Sequence, residues 1–383
     1  MVPTALPILV AGLAAVAAAR NCQNLIIPIS ISARNTYFTL QAPASNIEVT
    51  DFVLNLAQPG VNYASKVLGS STNGTGGQSA NTSGHYTIGA TYCEPRAGPG
   101  AALQILTHGI AFDRRYWDFA EQNRKYSYAD AALARNYSVF FYDRLGLGAS
   151  SRGDPVNEIQ ASLEVAALRA LTAMLRKGQA PGIQAAYDRV LHVGHSFGSI
   201  QAYALAAAHP ELSDGIALTG FSLALGGFVT DFLYGANLVE ARAASPALAA
   251  YPPGYLASAD ATAVQTNFFA PGNFDPAILE AAYAAGGPVT VGELMTIGSV
   301  ATGNNSFGGP VLVVTGERDL PFCGGNCFAS EPSFPAQVGK SFTNSSSFEA
   351  VVVPGAGHGL NLEYSAQTTY ASILDFFDEN AQS

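Results

Sequence analysis

The sequence predicts an α/β protein with a mostly parallel central sheet, helices on both faces and an inserted lid or cap segment. From about residue 84 onward, short β-rich runs alternate with helical patterns, which is typical of a parallel sheet covered by helices. Continuous apolar runs such as VLVV and AVVV are typical of strands buried on both faces. Between residues 223 and 308 this alternation stops, which predicts the insertion.

Taken in chain order, the first feature is a polar low-complexity stretch at 69–84, GSSTNGTGGQSANTSG, which predicts an exposed loop. Helical periodicity covers residues 161–178, ending at Gly178, and residues 199–212, ending near Pro210. The predicted strands are residues 86–92, 103–107, 138–142, 190–193, 216–219, 311–315 and 348–353.

Residues 223–308 combine helical pieces, the paired prolines Pro252 and Pro253, and many aromatic residues. We expect this segment to be a cap inserted over the carboxyl edge of the sheet, with residues 20–222 and 309–383 as the core. Its aromatic residues fit a lid that lines an apolar pocket, and they fit ordinary core packing equally well.

The first 19 residues predict a secretory signal peptide, because an apolar stretch from Val2 to Val16 precedes three alanines that resemble a cleavage site. An apolar membrane anchor is the alternative. The stretch is short for a spanning helix and contains Pro3 and Pro7, so we expect a secreted, extracellular protein with no stable membrane anchor.

Charge limits the classes of partner. Only 12% of residues are charged and the net charge is −10 at pH 7. The sequence also contains no cluster of Lys and Arg that could follow a phosphate backbone. A nucleic-acid partner is therefore not expected.

The four cysteines are Cys22, Cys93, Cys323 and Cys327, and they allow three disulfide pairings. The simplest joins Cys22 to Cys93 and Cys323 to Cys327. A C-x-x-x-C pair could instead hold a metal ion, but no histidine or third cysteine lies nearby, so no metal is expected. Export would also permit N-glycosylation at the five sequons, which begin at Asn73, Asn81, Asn136, Asn304 and Asn344.

Residues 190–199, VLHVGHSFGS, contain the single G-x-S-x-G pattern of the chain. A predicted strand leads into the pattern and an alanine-rich helix leads out of it, so the glycines permit a strained turn with Ser196 at its tip. A helix N-terminus there would favour a developing negative charge. Ser196 is therefore the candidate nucleophile, and a glycine-serine helix cap is the alternative.

A serine hydroxyl needs a base, and two histidines follow Ser196. His209 ends a predicted helix, where a cation has a structural role. His358 follows the last predicted strand in a glycine-rich turn and is the candidate base. Asp319 follows the strong strand at 311–315 and is the candidate acid, with Glu317 in reserve. A disulfide between Cys323 and Cys327 would stiffen that loop.

An oxyanion hole needs two backbone N–H donors. Phe197 follows the nucleophile and is the first candidate. The loop after the strand at 103–107 reads HGIAF, which places the second candidate at Ile110. The downstream aromatic residues Phe112, Tyr116 and Trp117 are expected to line the acyl side of a pocket, and core packing explains them almost as well.

Five motifs in this order, LTHGIAFD, YDRLGLGASS, VGHSFGS, TGERD and PGAGHGLN, resemble the α/β-hydrolase superfamily from about residue 84 to the C-terminus. The set TYCEP, HGIAFDRRYWD and FYDRLGLGASS is similar to a group of secreted fungal hydrolases. The resemblance implies a Ser-His-Asp triad and an acyl-enzyme route. A serine at the elbow tip differs from the carboxylate of epoxide hydrolases and haloalkane dehalogenases.

The expected function is a secreted serine hydrolase that cleaves a carboxylic ester or lactone of an apolar small molecule without a cofactor. The same triad could instead serve a lyase, a C–C hydrolase or an acyl transferase, because a fold does not set the chemistry. A non-catalytic ligand-binding protein of this fold is the third alternative. The residues do not decide the oligomeric state.

Overall fold

A computed structural model of the chain describes residues 20–59, 78–224 and 227–381. Eleven strands lie in this part of the chain. They are β1 Arg20–Tyr37, β2 Gln78–Pro95, β3 Ala102–Thr107, β4 Tyr137–Tyr142, β5 Val190–His195, β6 Gly215–Thr219, β7 Leu238–Glu240, β8 Tyr255–Ser258, β9 Val289–Thr290, β10 Val311–Gly316 and β11 Phe348–Val353.

The main helices lie between these strands and after them. They are α1 Asn46–Asn55, α2 Tyr128–Ala134, α3 Ala161–Arg176, α4 Phe197–Ala208, α5 Ala261–Phe268, α6 Pro276–Ala284, α7 Val291–Thr296, α8 Leu320–Cys323 and α9 Ala366–Asn380. Other helical turns lie at Arg114–Trp117, Glu121–Arg124, Pro210–Leu212, Phe228–Leu233, Tyr234–Ala236, Ala241–Ala244, Pro246–Leu248, Ile297–Ser299, Phe334–Gln337, Val338–Ser341 and Leu360–Leu362.

Eight strands form the central sheet, in the order β1-β2-β4-β3-β5-β6-β10-β11. The pairs β1-β2 and β2-β4 are antiparallel. All the other neighbouring pairs are parallel. This topology confirms the predicted, mostly parallel sheet. It also brings the ends of β3, β5, β10 and β11 to the same edge, where ligands bind in open α/β sheets.

Helices cover both faces of the sheet. On one face, the buried residues Leu163, Leu168 and Leu171 of α3 pack with Leu103 and Ile105 of β3. On the other face, buried residues of α4 and α9 pack with Leu106, the next position of β3. Successive side chains of a strand point to opposite faces, so one buried strand supplies both cores.

The six strands predicted from residue 103 onward are confirmed, each within two residues at either end. Helix α3 ends at Arg176, and Gly178 follows with a φ of +62°. Helix α4 begins two residues earlier than predicted because its first residue directly follows Ser196, which takes the N-cap position.

The N-terminal hairpin is the main correction to the prediction. Strand β1 was not predicted, and β2 begins at Gln78 rather than near residue 86. The exposed loop predicted at 69–84 is therefore wrong for residues 78–84, while residues 69–77 lie outside the described chain. This part of the hairpin faces solvent, and its outward positions are the polar residues Ser79, Asn81 and Ser83. Because these residues form no apolar run, the strand could not be predicted from the sequence.

Between β6 and β10, the described residues add no strand to the central sheet. Instead, β7, β8 and β9 form a separate antiparallel sheet that was not predicted, and α5, α6 and α7 accompany it. Strands of two to four residues carry too little periodicity to be recognised in a sequence. We call residues 223–308 the cap, and their action as a lid stays a prediction.

Two disulfides join Cys22 to Cys93 and Cys323 to Cys327, the pairing that the sequence favoured. Four of the sequon asparagines, Asn81, Asn136, Asn304 and Asn344, are exposed. The fifth, Asn73, and residues 1–19 lie outside the described chain. Within the described ranges, no helix combines the length and apolarity that crossing a bilayer requires.

The two disulfides should differ in their effect on stability, because they close loops of very different length. Cys22 and Cys93 are 71 residues apart and Cys323 and Cys327 are four apart. Replacing the first pair with serine should lower the free energy of unfolding by about 4 kcal/mol, and replacing the second pair by about 2 kcal/mol. Guanidinium unfolding of both double variants measures this. A larger loss for the short loop would contradict it.

Candidate active site

Ser196 lies on a strained elbow between β5 and α4. Its φ of +55° and ψ of −118° are unusual for a serine, and its neighbours explain how they are tolerated. A Cβ atom on Gly194 would lie 2.5 Å from the carbonyl oxygen of Gly198. One on Gly198 would lie 1.9 Å from the carbonyl oxygen of Thr107. Only glycine fits at both positions, so the pattern places the serine at the tip of the turn.

Asp319 and His358 meet at the carboxyl edge of the sheet. His358 Nδ1 donates a hydrogen bond to Asp319 Oδ2 at 2.6 Å, and both side chains are buried. Asp319 is also the N-cap of α8, where its Oδ1 accepts from the N–H of Phe322 at 2.9 Å. These bonds fix the carboxylate and leave the other ring nitrogen, Nε2, free to act as a proton acceptor.

The Nε2 atom of His358 is buried and makes no hydrogen bond to any described residue, Ser196 included. In proteins without substrate, hydrogen bonds of this kind are often long and tighten only in the reacting complex. The structure thus joins two of the three proposed triad residues directly and places the third on the neighbouring elbow.

Glu317, the reserve candidate for the acid, has a different partner. Its Oε2 accepts the N–H of Gly355 at 2.7 Å, in the turn that precedes His358. The disulfide-closed loop is held in the same region, since the N–H of Cys327 donates to the carbonyl of Glu317 at 2.9 Å. Glu317 therefore braces the turn rather than the imidazole.

The loop after β3 lies against the elbow. A Cβ atom on Gly109 would approach the Cβ of Ser196 to 2.7 Å, so the backbone next to Ile110 is close to the serine. Phe197 is the first residue of α4, where an N–H has no acceptor within its own helix. Both predicted donor residues are thus brought next to Ser196, and their part in an oxyanion hole stays a prediction.

His108 holds this loop in place. Its Nδ1 donates to the carbonyl of Gly109 at 2.8 Å, and its Nε2 accepts from the N–H of Arg144 at 3.3 Å. Burial, assisted by the positive charge of Arg144, holds the pKa of His108 well below its usual range. A neutral imidazole with one donor and one acceptor nitrogen matches both bonds.

Two of the three aromatic residues predicted to line the pocket lie near the histidines. Phe112 packs edge-to-face on Phe268, with ring centroids 4.9 Å apart, and Phe268 lies 5.4 Å from the ring of His358. Tyr116 stacks on His195 at 4.4 Å, and His195 lies 4.8 Å from His358. Both aromatic residues thus reach His358 through one intervening ring.

Trp117 belongs to the core instead. It is fully buried, and its ring packs against Tyr128 at 5.6 Å, which in turn packs against Tyr370 of α9. The structure therefore supports core packing for Trp117 and not a position in the lining of the pocket.

Three contacts of His358 were not predicted from the sequence. Phe322 stacks on its ring at 5.6 Å and Phe268 of the cap covers it from another direction. Gly220, with a φ of +54°, passes so close that a Cβ atom would lie 2.8 Å from the Cε1 of His358. One of these contacts had a signal in the sequence, because Phe322 lies three residues after Asp319, the candidate acid.

A buried charge cluster connects the elbow to the cap. The guanidinium of Arg144 lies 4.7 Å from the ring centroid of Phe197 and forms ion pairs with Glu164 of α3 and Glu293 of α7. Gln201 of α4 donates to Glu164 at 2.9 Å. Burial raises the pKa of Glu164 well above its usual range, although the charge of Arg144 opposes this. The cluster joins α3, α4 and α7 around Arg144, next to Phe197, the first residue of α4.

In the described ranges, no group of three or more His, Cys, Asp or Glu side chains is arranged to hold a metal ion.

Comparison with known proteins identifies the family. The alpha/beta hydrolase family model matches residues 104–371, which is most of the chain. No curated protein matches the chain.

Solved structures show the same fold at low sequence identity. A thermophilic esterase from Thermogutta terrifontis is 16% identical, with a TM-score of 0.50 over 76% of this chain and 94% of that chain. The enol-lactonase from Burkholderia xenovorans is 19% identical, with a TM-score of 0.50 over 76% and 97%. A hydrolase from Pseudomonas aeruginosa is 18% identical, with a TM-score of 0.51 over 76% and 94%. With the family model and the geometry above, these findings show that the chain belongs to the alpha/beta hydrolase family.

Proposed function

We propose that this protein is a secreted serine hydrolase that cleaves a carboxylic ester or lactone of an apolar small molecule. The observation that carries the proposal is the buried hydrogen bond of 2.6 Å between Asp319 and His358, beside an elbow that presents Ser196. A carboxylate, an imidazole and a serine hydroxyl are the parts that acyl transfer requires.

In the proposed reaction, Ser196 Oγ attacks the ester carbonyl while His358 Nε2 accepts the hydroxyl proton. Asp319 holds the ring and balances the positive charge that forms on it. The tetrahedral intermediate collapses as His358 returns the proton to the leaving alcohol. Water, activated by the same imidazole, then releases the acid and restores the serine. One water molecule is consumed for each ester bond broken.

The N–H groups of Phe197 and Ile110 are the proposed donors to the oxyanion. Support comes from the closeness of the β3 loop to the elbow, where Gly109 leaves room for no side chain. Donors of this kind, aimed at the developing charge in a site without water, commonly contribute a factor of about 10²–10³ to kcat.

An apolar substrate is proposed because aromatic rings surround the reacting groups. Phe268 and Phe322 flank His358, and Phe112 extends this surface. These rings offer contact area to a hydrocarbon or aromatic acyl group and few polar partners to a charged one. Export is supported by two disulfides and by four exposed sequon asparagines.

A fluorophosphonate should label Ser196 and no other residue, because only a serine activated by a neighbouring base reacts readily. Peptide mass spectrometry locates the adduct. Ser196→Ala should remove both the label and the turnover of short-chain aryl esters, with an unchanged circular dichroism spectrum. Turnover near the wild-type rate in this variant would refute the proposed nucleophile.

Asp319→Asn should lower kcat for ester hydrolysis by about 10³–10⁴-fold, because an amide neither balances the imidazolium nor fixes the tautomer. Glu317→Gln is the matched control, since Glu317 carries the same charge in the same loop but bonds Gly355. We expect the control to lose far less activity. Comparable losses in the two variants would remove Asp319 from its proposed role.

Hydrolysis in ¹⁸O-labelled water separates ester cleavage from the other reactions that this triad could perform. One labelled oxygen should enter the released acid, because water attacks the acyl-enzyme. An acid product without label, or acyl transfer to an added alcohol as the sole reaction, would count against hydrolysis.

A further inference from the structure

Glu363 connects the cap to the segment that carries His358. Its side chain is fully buried. Oε1 accepts the N–H of Ala270 at 2.6 Å, and Oε2 accepts the N–H of Gly357 at 2.7 Å and Asn273 Nδ2 at 3.2 Å. We call residues 268–273 the cap strip and residues 355–363 the histidine turn. A single carboxyl group therefore bridges two segments about 90 residues apart in sequence.

Two backbone hydrogen bonds join the same two parts of the chain. The N–H of Gly359 donates to the carbonyl of Phe268 at 2.6 Å, and the N–H of Tyr364 donates to the carbonyl of Asn273 at 2.7 Å. A Cβ atom on Gly359 would lie 2.8 Å from the Phe268 carbonyl oxygen. The ring of Phe268 also packs on that of His358. Separation of the cap strip from the histidine turn would therefore uncover the imidazole of His358.

Among the residues that the structure describes, no cation pairs with Glu363. Across the described ranges, each of its hydrogen-bond partners is a neutral N–H group. Of the ionisable groups around it, Asp319 adds negative charge, Tyr116 is neutral, and His358 lies in the turn that Glu363 bonds. Arg318 reaches the strip but bonds the Pro271 carbonyl.

The charged form of Glu363 is therefore disfavoured while the contact is closed. Burial, with a smaller effect from Asp319, raises the pKa of Glu363 to about 7, although the N–H bonds act in the opposite direction. When the strip opens, water reaches the carboxyl group and its pKa returns towards the ordinary value of 4.5. The closed state thus binds a proton more tightly than the open state.

The sign of the pH effect follows from this difference. A carboxyl group with a raised pKa in the closed state stabilises that state fully at low pH, and the stabilisation is lost as the pH rises through about 7. We propose that Glu363 is a positioning residue for His358 and a charge-dependent latch, which holds the cap strip on the histidine turn when protonated and releases it more readily when ionised.

The effect of this latch on catalysis rests on the proposed function, since it matters only if His358 is the base. In that case an open strip would admit an ester to the imidazole, and a closed strip would cover the imidazole. The latch itself is a statement about two packed segments and can be tested without any substrate.

The test is hydrogen–deuterium exchange of the wild-type protein between pH 5 and pH 8, followed by NMR at the amides of Ala270, Gly357 and Gly359 and corrected for intrinsic exchange. Their protection should fall by at least about tenfold across this range, because a pKa of about 7 in the closed state and 4.5 in the open state would allow a factor of about 300. Val193 in the buried strand β5 reports global unfolding and should keep its protection.

Glu363→Gln should abolish this pH dependence, whatever the absolute protection, because an amide does not titrate. Glu158→Gln is the matched control. It removes the same charge from a loop where Glu158 bonds Tyr86 and Asp154, and it should retain the wild-type dependence. Asn273→Ala removes a hydrogen bond that lowers the pKa of Glu363. In this variant, the fall in amide protection should therefore move to higher pH.

Two results would overturn the latch: wild-type protection at these amides that is constant from pH 5 to pH 8, or a dependence that persists in Glu363→Gln. If that variant does not fold, the wild-type curve and the shift in Asn273→Ala still decide. Failure of the proposed function would appear separately, as the absence of a fluorophosphonate adduct on Ser196 in protein with an intact latch.

Discussion

The close approach of two backbones is the constraint on which the candidate site depends. The turn at residues 194–198 lies directly against the end of β3, close enough that a single methyl group on Gly198 would overlap a carbonyl oxygen. This contact holds Ser196 in a conformation that a serine would not otherwise adopt. It also brings the loop containing Ile110 alongside. The proposed nucleophile and the proposed oxyanion donors are thus positioned by the same contact.

The polar groups around this contact are kept in defined states by burial. Desolvation lowers the pKa of both His108 and His195, so each imidazole stays neutral. His358 differs from them because it alone has a carboxylate partner, Asp319. His195 and His358 lie in one aromatic cluster, and the pairing with Asp319 is what would allow His358 to act as the proposed base.

Much of this arrangement could be predicted from the sequence, because its signals are local. Buried parallel strands are continuous apolar runs, and a glycine pattern between a strand and a helix specifies an elbow. The candidate acid and base lie in the loops that follow β10 and β11. Their placement needs only the rule that the carboxyl ends of parallel strands share an edge.

The features that were missed depend on partners far away in the chain. The ion pair between Arg144 and Glu293 spans 149 residues, and the bond from Ala270 to Glu363 spans 93. Neither residue type nor spacing signals such a contact. Strand β1 was not predicted for a related reason. Its partner β2 begins in a polar segment, and one side of the hairpin that they form faces solvent.

The position of β1 has a consequence for how the chain is made. This strand has 18 residues, and β2, its partner among the described strands, is complete only at Pro95. At 5–20 residues per second, about 4–15 s pass between synthesis of Arg20 and of its partner. During that interval the alternating Ile27, Ile29 and Ile31 have no sheet to cover them. The newly made chain therefore exposes an unpaired strand with apolar side chains before the sheet can form. Chaperones should bind preferentially to this strand.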